Sequence, residues 1–244
     1  MPAYTITIIS DPVCPWCYIG HNRLTRAISL FTKTHPAGPS STFSISWSPF
    51  YLDPSAPTHS ISKRERAAQR HGQARVDEMF ARLRTLGERE GIVFSFEGRI
   101  GSTRNAHRLI GLAGKQGEES GMQGAVVEGL FKEHFEGDAD ITDVDWLVSV
   151  ATEAGMDGEM VRSYLESEEG GEAVDETARR NRGKVNGVPA FEIGEFFVEG
   201  AQEEMEFYEV FAKIAEREEG TYKFLGAKQA KKEVSGGNAE VGLC

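Results

Sequence analysis

The first apolar run of the chain, YTITIIS from Tyr4 to Ser10, is rich in β-branched residues and reads as a buried strand. The period then changes. Leu24, Ala27, Ile28 and Phe31 fall at i, i+3, i+4 and i+7, which is one face of a helix. Proline and glycine in HPAGPSS end it. FSISWSP next alternates Phe43, Ile45 and Trp47 with serines, the period of a half-buried strand.

The following 120 or so residues carry helical spacing only. Val76, Met79, Phe80 and Leu83 mark one amphipathic helix, Ala106, Leu109, Ile110 and Ala113 another, and Val127, Leu130 and Phe131 a third. TDVD, Thr142 to Asp145, has the form of a capping box, and Val144, Leu147, Val148 and Ala151 follow it at helical spacing. ESEEGGE, Glu166 to Glu172, breaks the pattern. Strand character returns in VPAFEIGEFFVEG, read as two short strands around a turn at Gly194-Glu195. A last helix places Phe207, Val210, Phe211 and Ile214 on one face. Beyond about Gly226 the chain is polar and glycine-rich and is expected to be a loose tail.

The pattern gives an α/β chain whose strands are interrupted by a long all-helical insertion. Residues 1–55 and 185–225 are expected to form one unit, 56–184 the helical insertion and 226–244 a flexible tail.

The 244 residues suffice for a sizeable core. The formal charge of -11, from 27 basic and 38 acidic side chains, argues against a nucleic-acid partner. No apolar run approaches the roughly 18 residues of a membrane helix. The N-terminal segment has no basic region of the signal-peptide kind. The expectation is a soluble, cytoplasmic protein without a membrane partner. Its oligomeric state is left open.

Two of the three cysteines sit together in DPVCPWCYIG, at the junction of the first strand and the first helix. This is the sequence form of a thioredoxin-like redox site. A helix N-terminus offers unpaired N–H groups and partial positive charge, and both favour a thiolate on Cys14. Cys17, one turn in, is placed to resolve a mixed disulfide. Pro15 suits the first helical turn, where its missing N–H costs nothing, and Trp16 offers apolar surface beside the sulfur. Zinc prefers four ligands, and one pair plus the distant Cys244 does not supply them, so no metal is expected. An inert, packed pair remains as the plain structural alternative. Pro189, after Gly187-Val188, reads from its neighbours alone as a trans proline opening an edge strand.

Four segments in order resemble the DsbA-like thioredoxin family, in its FrnE-like branch: SDPVCPWCYIG with NRLTRAI, then STRNAHRLIGLA, then LFKEHFEGDADITDVDWLVSVATEAGMD, then GVPAFEIGEFFVEGAQ. The resemblance spans about Tyr4 to Phe211. It implies a thioredoxin-like fold interrupted by a helical domain, and thiol–disulfide exchange on protein or small-molecule thiols and disulfides. It makes Cys14 and Cys17 the redox pair. It also makes Val188-Pro189 a cis-proline loop whose backbone meets the substrate beside Pro15 and Trp16. No cofactor is implied beyond glutathione as a redox co-substrate. Relatives with this two-part fold include glutathione-dependent transferases and isomerases, of the kappa and 2-hydroxychromene-2-carboxylate isomerase types. Those typically lack one or both cysteines, so the pair here favours the oxidoreductase. Ser102 replaces the family's usual asparagine, and Glu199 the usual serine before Gly-Ala-Gln. Both lie where the family lines its cleft, so substrate preference does not carry over.

Three further groups invite chemistry. His107 lies on a helix that in this family faces the cleft, so it is a candidate substrate contact, against the plainer reading of a core histidine. His21 reads as a solvated helix position. Arg179, Arg180, Arg182 and Lys184 form a basic run before Pro189; it would either favour the thiolate or complement a helix dipole, and the second is preferred.

Overall fold

The computed structural model of the chain describes residues 2–116 and 121–217. The expected tail and Cys244 lie outside them. A four-stranded sheet runs in the order β2–β1–β5–β6, with β1 Ala3–Ser10, β2 Thr42–Pro49, β5 Ala190–Ile193 and β6 Phe196–Glu199. The helix α1, Pro15–Thr34, joins β1 to its parallel neighbour β2. On its other edge β1 pairs antiparallel with β5, from Ile6 opposite Ile193 to Ile9 opposite Ala190. That register decides the position of the site, because it sets Pro189 beside the end of β1, where the chain turns into the cysteine pair. The β5–β6 hairpin turns at Gly194, whose φ of 57° is a conformation that glycine adopts without a Cβ penalty.

Between β2 and β5 the described residues form seven helices: α2 Lys63–His71, α3 Gln73–Glu90, α4 Arg104–Gly114, α5 Met122–Glu136, α6 Val144–Glu153, α7 Gly158–Glu166 and α8 Gly171–Lys184. A short antiparallel ladder, β3 Ile61–Ser62 with β4 Arg99–Ile100, sits among them. Among the described residues a further helix, α9, takes in 204–217. The apolar stripes read from the sequence are buried as expected: Leu24, Ala27 and Phe31 of α1, Val76 and Phe80 of α3, Leu130 and Phe131 of α5, and Phe207 and Phe211 of α9. The cap of α6 differs by one residue from the expectation. Asp143 is the N-cap, its carboxylate accepting the N–H groups of Asp145 and Trp146. Thr142 instead donates its hydroxyl to Asp140, 2.8 Å away, so the nearer carboxylate takes the cap.

The insertion shares one core with the sheet. A single cluster of buried side chains runs from Tyr4 through the helices to Ala215. On the sheet side Tyr4 stacks on Phe43 at 4.6 Å and donates its hydroxyl to the Phe211 carbonyl. On the insertion side Phe131 of α5 stacks on Tyr18 of α1 at 5.2 Å and meets Trp47 of β2 edge-on at 6.0 Å. No helix among the described residues is long and apolar enough to cross a membrane.

Candidate active site

Cys14 is the N-cap residue of α1, in extended conformation, and Pro15 is the first helical residue. The turn before it is closed by the Cys14 N–H on the Asp11 carbonyl at 3.0 Å, and the first helical turn by the Cys17 N–H on the Cys14 carbonyl at 3.0 Å. No side-chain hydrogen bond caps the helix; the sulfur of this N-cap residue turns instead toward the Val188 loop. Cys17 follows one turn in, facing the core. Both cysteines are reduced and both are buried, Cys14 at 3 % exposure and Cys17 at 1 %. Cys14 is the slightly more exposed of the two and alone lines the cleft described below, although α1 and the Val188-Pro189 loop close over both. Burial pushes the Cys17 thiol well above its ordinary value, and the adjacent Cys14 sulfur adds to this; Ser10 and the Asp11 backbone pull the other way. Cys17 is thus held neutral.

The Val188–Pro189 peptide is cis. The Val188 carbonyl accepts from the Cys14 thiol at 3.6 Å, so the loop and the cysteine face each other across a gap of contact width. Close approach of α1 to this loop depends on Gly20. A Cβ there would lie 2.9 Å from the Pro189 ring and 3.1 Å from the Phe191 ring. Arg23, one turn on, fixes the segment after β6 by donating to the Ala201 carbonyl at 2.8 Å, and ties α1 to α3 through Glu90 at 2.6 Å. Burial alone would raise the Glu90 carboxyl, but Arg23 and Arg26 outweigh it and hold it below its usual range.

Cys14 and Val188 open on a cleft of about 530 Å³ between α1 and the α2–α3 pair. Pro15 and Trp16 line it too, Trp16 at 41 % exposure. His107 does not line this cleft. It sits behind Asp11, 4 % exposed, with Nε2 3.1 Å from the Phe50 carbonyl and 3.5 Å from the Asp11 carboxylate. Asp11 is itself buried at the bottom of the cleft; one carboxylate oxygen accepts the Leu52 N–H at 2.7 Å, and the other, facing His107, has no hydrogen-bond partner among the described residues. Arg108, next to His107, serves the fold: 1 % exposed, it donates to the carbonyls of Tyr164, Leu165, Ser167 and Glu169 at and just beyond the end of α7.

Two other readings are settled by placement. His21 is buried, against the expectation of a solvated position, because its ring packs on Trp47 and its Nε2 pairs with Glu128 at 3.1 Å. The basic run ends α8, with Arg182 and Lys184 in the last turn, and none of its members lines the cleft. The cations that do line it, Lys63, Arg66, Arg70 and Arg82, come from α2 and α3. Asp11, Gly20 and these cations were not picked out in the sequence. The glycine after Cys-Tyr-Ile was the available signal for Gly20; nothing local marked the others. Among the described residues no cluster of His, Cys, Asp and Glu has the geometry to hold a metal ion.

A thioredoxin-type sheet, a cysteine pair at a helix start and a facing cis-proline loop define a thiol-redox class of fold. Residues 5–212 match the DSBA-like thioredoxin domain, and the chain belongs to that family. Among solved structures it is similar to the probable DsbA oxidoreductase SCO1869 from Streptomyces coelicolor, with 22 % identity and a TM-score of 0.74 over 99 % of this chain and 94 % of that one. It is also similar to a 2-hydroxychromene-2-carboxylate isomerase (15 %, TM-score 0.60, 89 % and 98 % covered). A third is the cytosolic disulfide reductase DsbM from Pseudomonas aeruginosa, solved with GSH (16 %, TM-score 0.52, 90 % and 99 % covered). At these identities the likeness is one of fold.

Proposed function

We propose that this chain is a dithiol–disulfide oxidoreductase of the FrnE-like branch, working in the cytoplasm with Cys14 as attacking and Cys17 as resolving sulfur. The observation that carries the reading is the asymmetry of the pair: Cys14 is the N-cap residue of α1 and faces Val188 and the cleft, while Cys17 lies one turn in, away from the cleft, and burial holds it neutral. In the reductive direction the Cys14 thiolate attacks one sulfur of a substrate disulfide. A Cys14–substrate disulfide forms and the other substrate half leaves as a thiolate. Cys17 then loses its proton and attacks the Cys14 sulfur, releasing the second half as a thiolate. Two electrons pass from the protein dithiol to the substrate, and the Cys14–Cys17 disulfide remains. Glutathione is the proposed co-substrate that returns the protein to the dithiol. The same steps reversed oxidise a substrate dithiol.

The test is equilibration of the protein in glutathione redox buffers, with quantification of the Cys14–Cys17 disulfide. A single two-electron transition is expected, tenfold in ratio for about 30 mV. Cys17→Ser should accumulate a mixed disulfide at Cys14 and stop turning over. A Cys17→Ser variant with full activity would overturn the reading in favour of a glutathione-dependent transferase or isomerase, which needs no resolving sulfur.

A further inference from the structure

The cleft beside Cys14 is larger than a thiol–disulfide step requires. The exchange step itself uses the Cys14 sulfur and the facing Val188 backbone. Here a volume of about 530 Å³ continues away from them, between α2 and α3, within the range that encloses a small organic ligand. Its walls are of two kinds. Val13, Met79, Phe80, Leu83, Leu86 and Phe96 supply an apolar interior. Four basic side chains, Lys63, Arg66, Arg70 and Arg82, line it with two carboxylates, Asp11 and Asp53, and Lys63 is paired with Asp138 behind the wall. Asp53 serves both Arg66 and Arg70, and one Asp11 oxygen is taken by the Leu52 N–H. Arg82 is exposed on α3 and makes no ion pair among the described residues. In a chain of net charge -11, a positive wall at this place selects by sign.

We infer that this cleft holds the retained half of a small-molecule disulfide, an apolar chain or ring that carries one anionic group. The inference rests on the exchange reading for the identity of the reacting sulfur. The half that stays bonded to Cys14 in the mixed disulfide lies along the Met79–Leu83–Leu86 wall, its anion toward Arg82. Attack by Cys17 on the Cys14 sulfur then releases it as an apolar thiolate. No electrons are needed beyond those of the protein dithiol.

Straight-chain carboxylates probe the cleft without redox chemistry. Hexanoate, octanoate and decanoate are titrated into the reduced full-length protein, read by calorimetry and by protection of Cys14 from iodoacetamide. Affinity should rise about threefold to fourfold per methylene, and decanoate should bind about fivefold tighter than decanol. Arg82→Glu, at an exposed helix position, should erase the preference over the alcohol. Ala67→Trp, which fills the cleft from α2, should abolish protection; if that variant does not fold, the Arg82 result decides. In the same assays 2-hydroxyethyl disulfide reports exchange that needs no cleft. Exchange with it alongside carboxylate binding that is absent or flat with chain length would overturn the inference and leave the exchange reading standing. Chain-length-dependent protection with no exchange on any disulfide would overturn the exchange reading and leave only the binding cleft.

Discussion

Gly20 shows how one missing carbon sets the site. The α1 backbone and the Pro189 ring approach so closely that a Cβ would sit 2.9 Å from a ring carbon that cannot rotate away. Gly20→Ala should therefore push the loop off α1 and widen the contact between Cys14 and the Val188 carbonyl, at an over-packing cost of about 1–3 kcal/mol. Chemical denaturation should show the loss. Exchange by the folded variant should be slower, while decanoate binding changes little, because Gly20 does not line the cleft. Wild-type exchange in Gly20→Ala would mean that the close approach serves packing alone. The roles of Asp11 and Gly20 were not read from the sequence for one reason: they depend on partners 41 to 169 positions away, Leu52 and Pro189.

At the scale of elements, legibility followed burial. Helices α1, α3, α4, α5 and α6 each bury a stripe and were read from their period; β1, β2 and the β5–β6 hairpin were read from theirs. α2 was not, because KRERAAQRH has no apolar face and buries only Lys63. Its start is set by Ser62, whose hydroxyl accepts the Glu65 N–H, and its position by Lys63, which reaches into α5 to donate to the His134 carbonyl. That contact has a pH signature. Burial, and next the Lys63 charge, lower His134 to about 3; Asp138 and Asp140 pull weakly the other way. An unfolded histidine titrates near 6.5. Between those values the unfolded chain binds a proton that the folded chain does not. Stability is then fully present above about pH 6.5 and falls as pH drops toward 3, by up to about 1.4 kcal/mol per unit. Urea midpoints at pH 7.5, 6 and 5 should decline accordingly, and His134→Gln should flatten the decline by one proton. An unchanged slope in that variant would show that His134 protonates without unfolding α5.

For the whole molecule, the sequence presents an interrupted fold, and the interruption suggests two bodies. The packing makes them continuous. Phe131, on α5 within the insertion, lies against Tyr18 and His21 of α1 and Trp47 of β2, all belonging to the strand–helix–strand unit that carries the cysteines. Arg23 and Glu90 make a second tie, from α1 to the end of α3. A core shared in this way has no low-contact plane along which the insertion would melt first. In a Trp16→Phe, Trp146→Phe background, helix content followed by far-UV circular dichroism should therefore lose structure at the same denaturant concentration as the fluorescence of Trp47, the coincidence that marks a two-state transition. Phe131→Ala removes the aromatic shared by both sides. It should cost about 3–5 kcal/mol and shift both probes together. It should also raise the alkylation rate of Cys14, since α1 loses the surface that fixes its first turns through Tyr18. If the helical signal moves alone, with the Trp47 signal and the Cys14 rate unchanged, the insertion folds as an independent body and the shared core does not couple it to the cysteine pair.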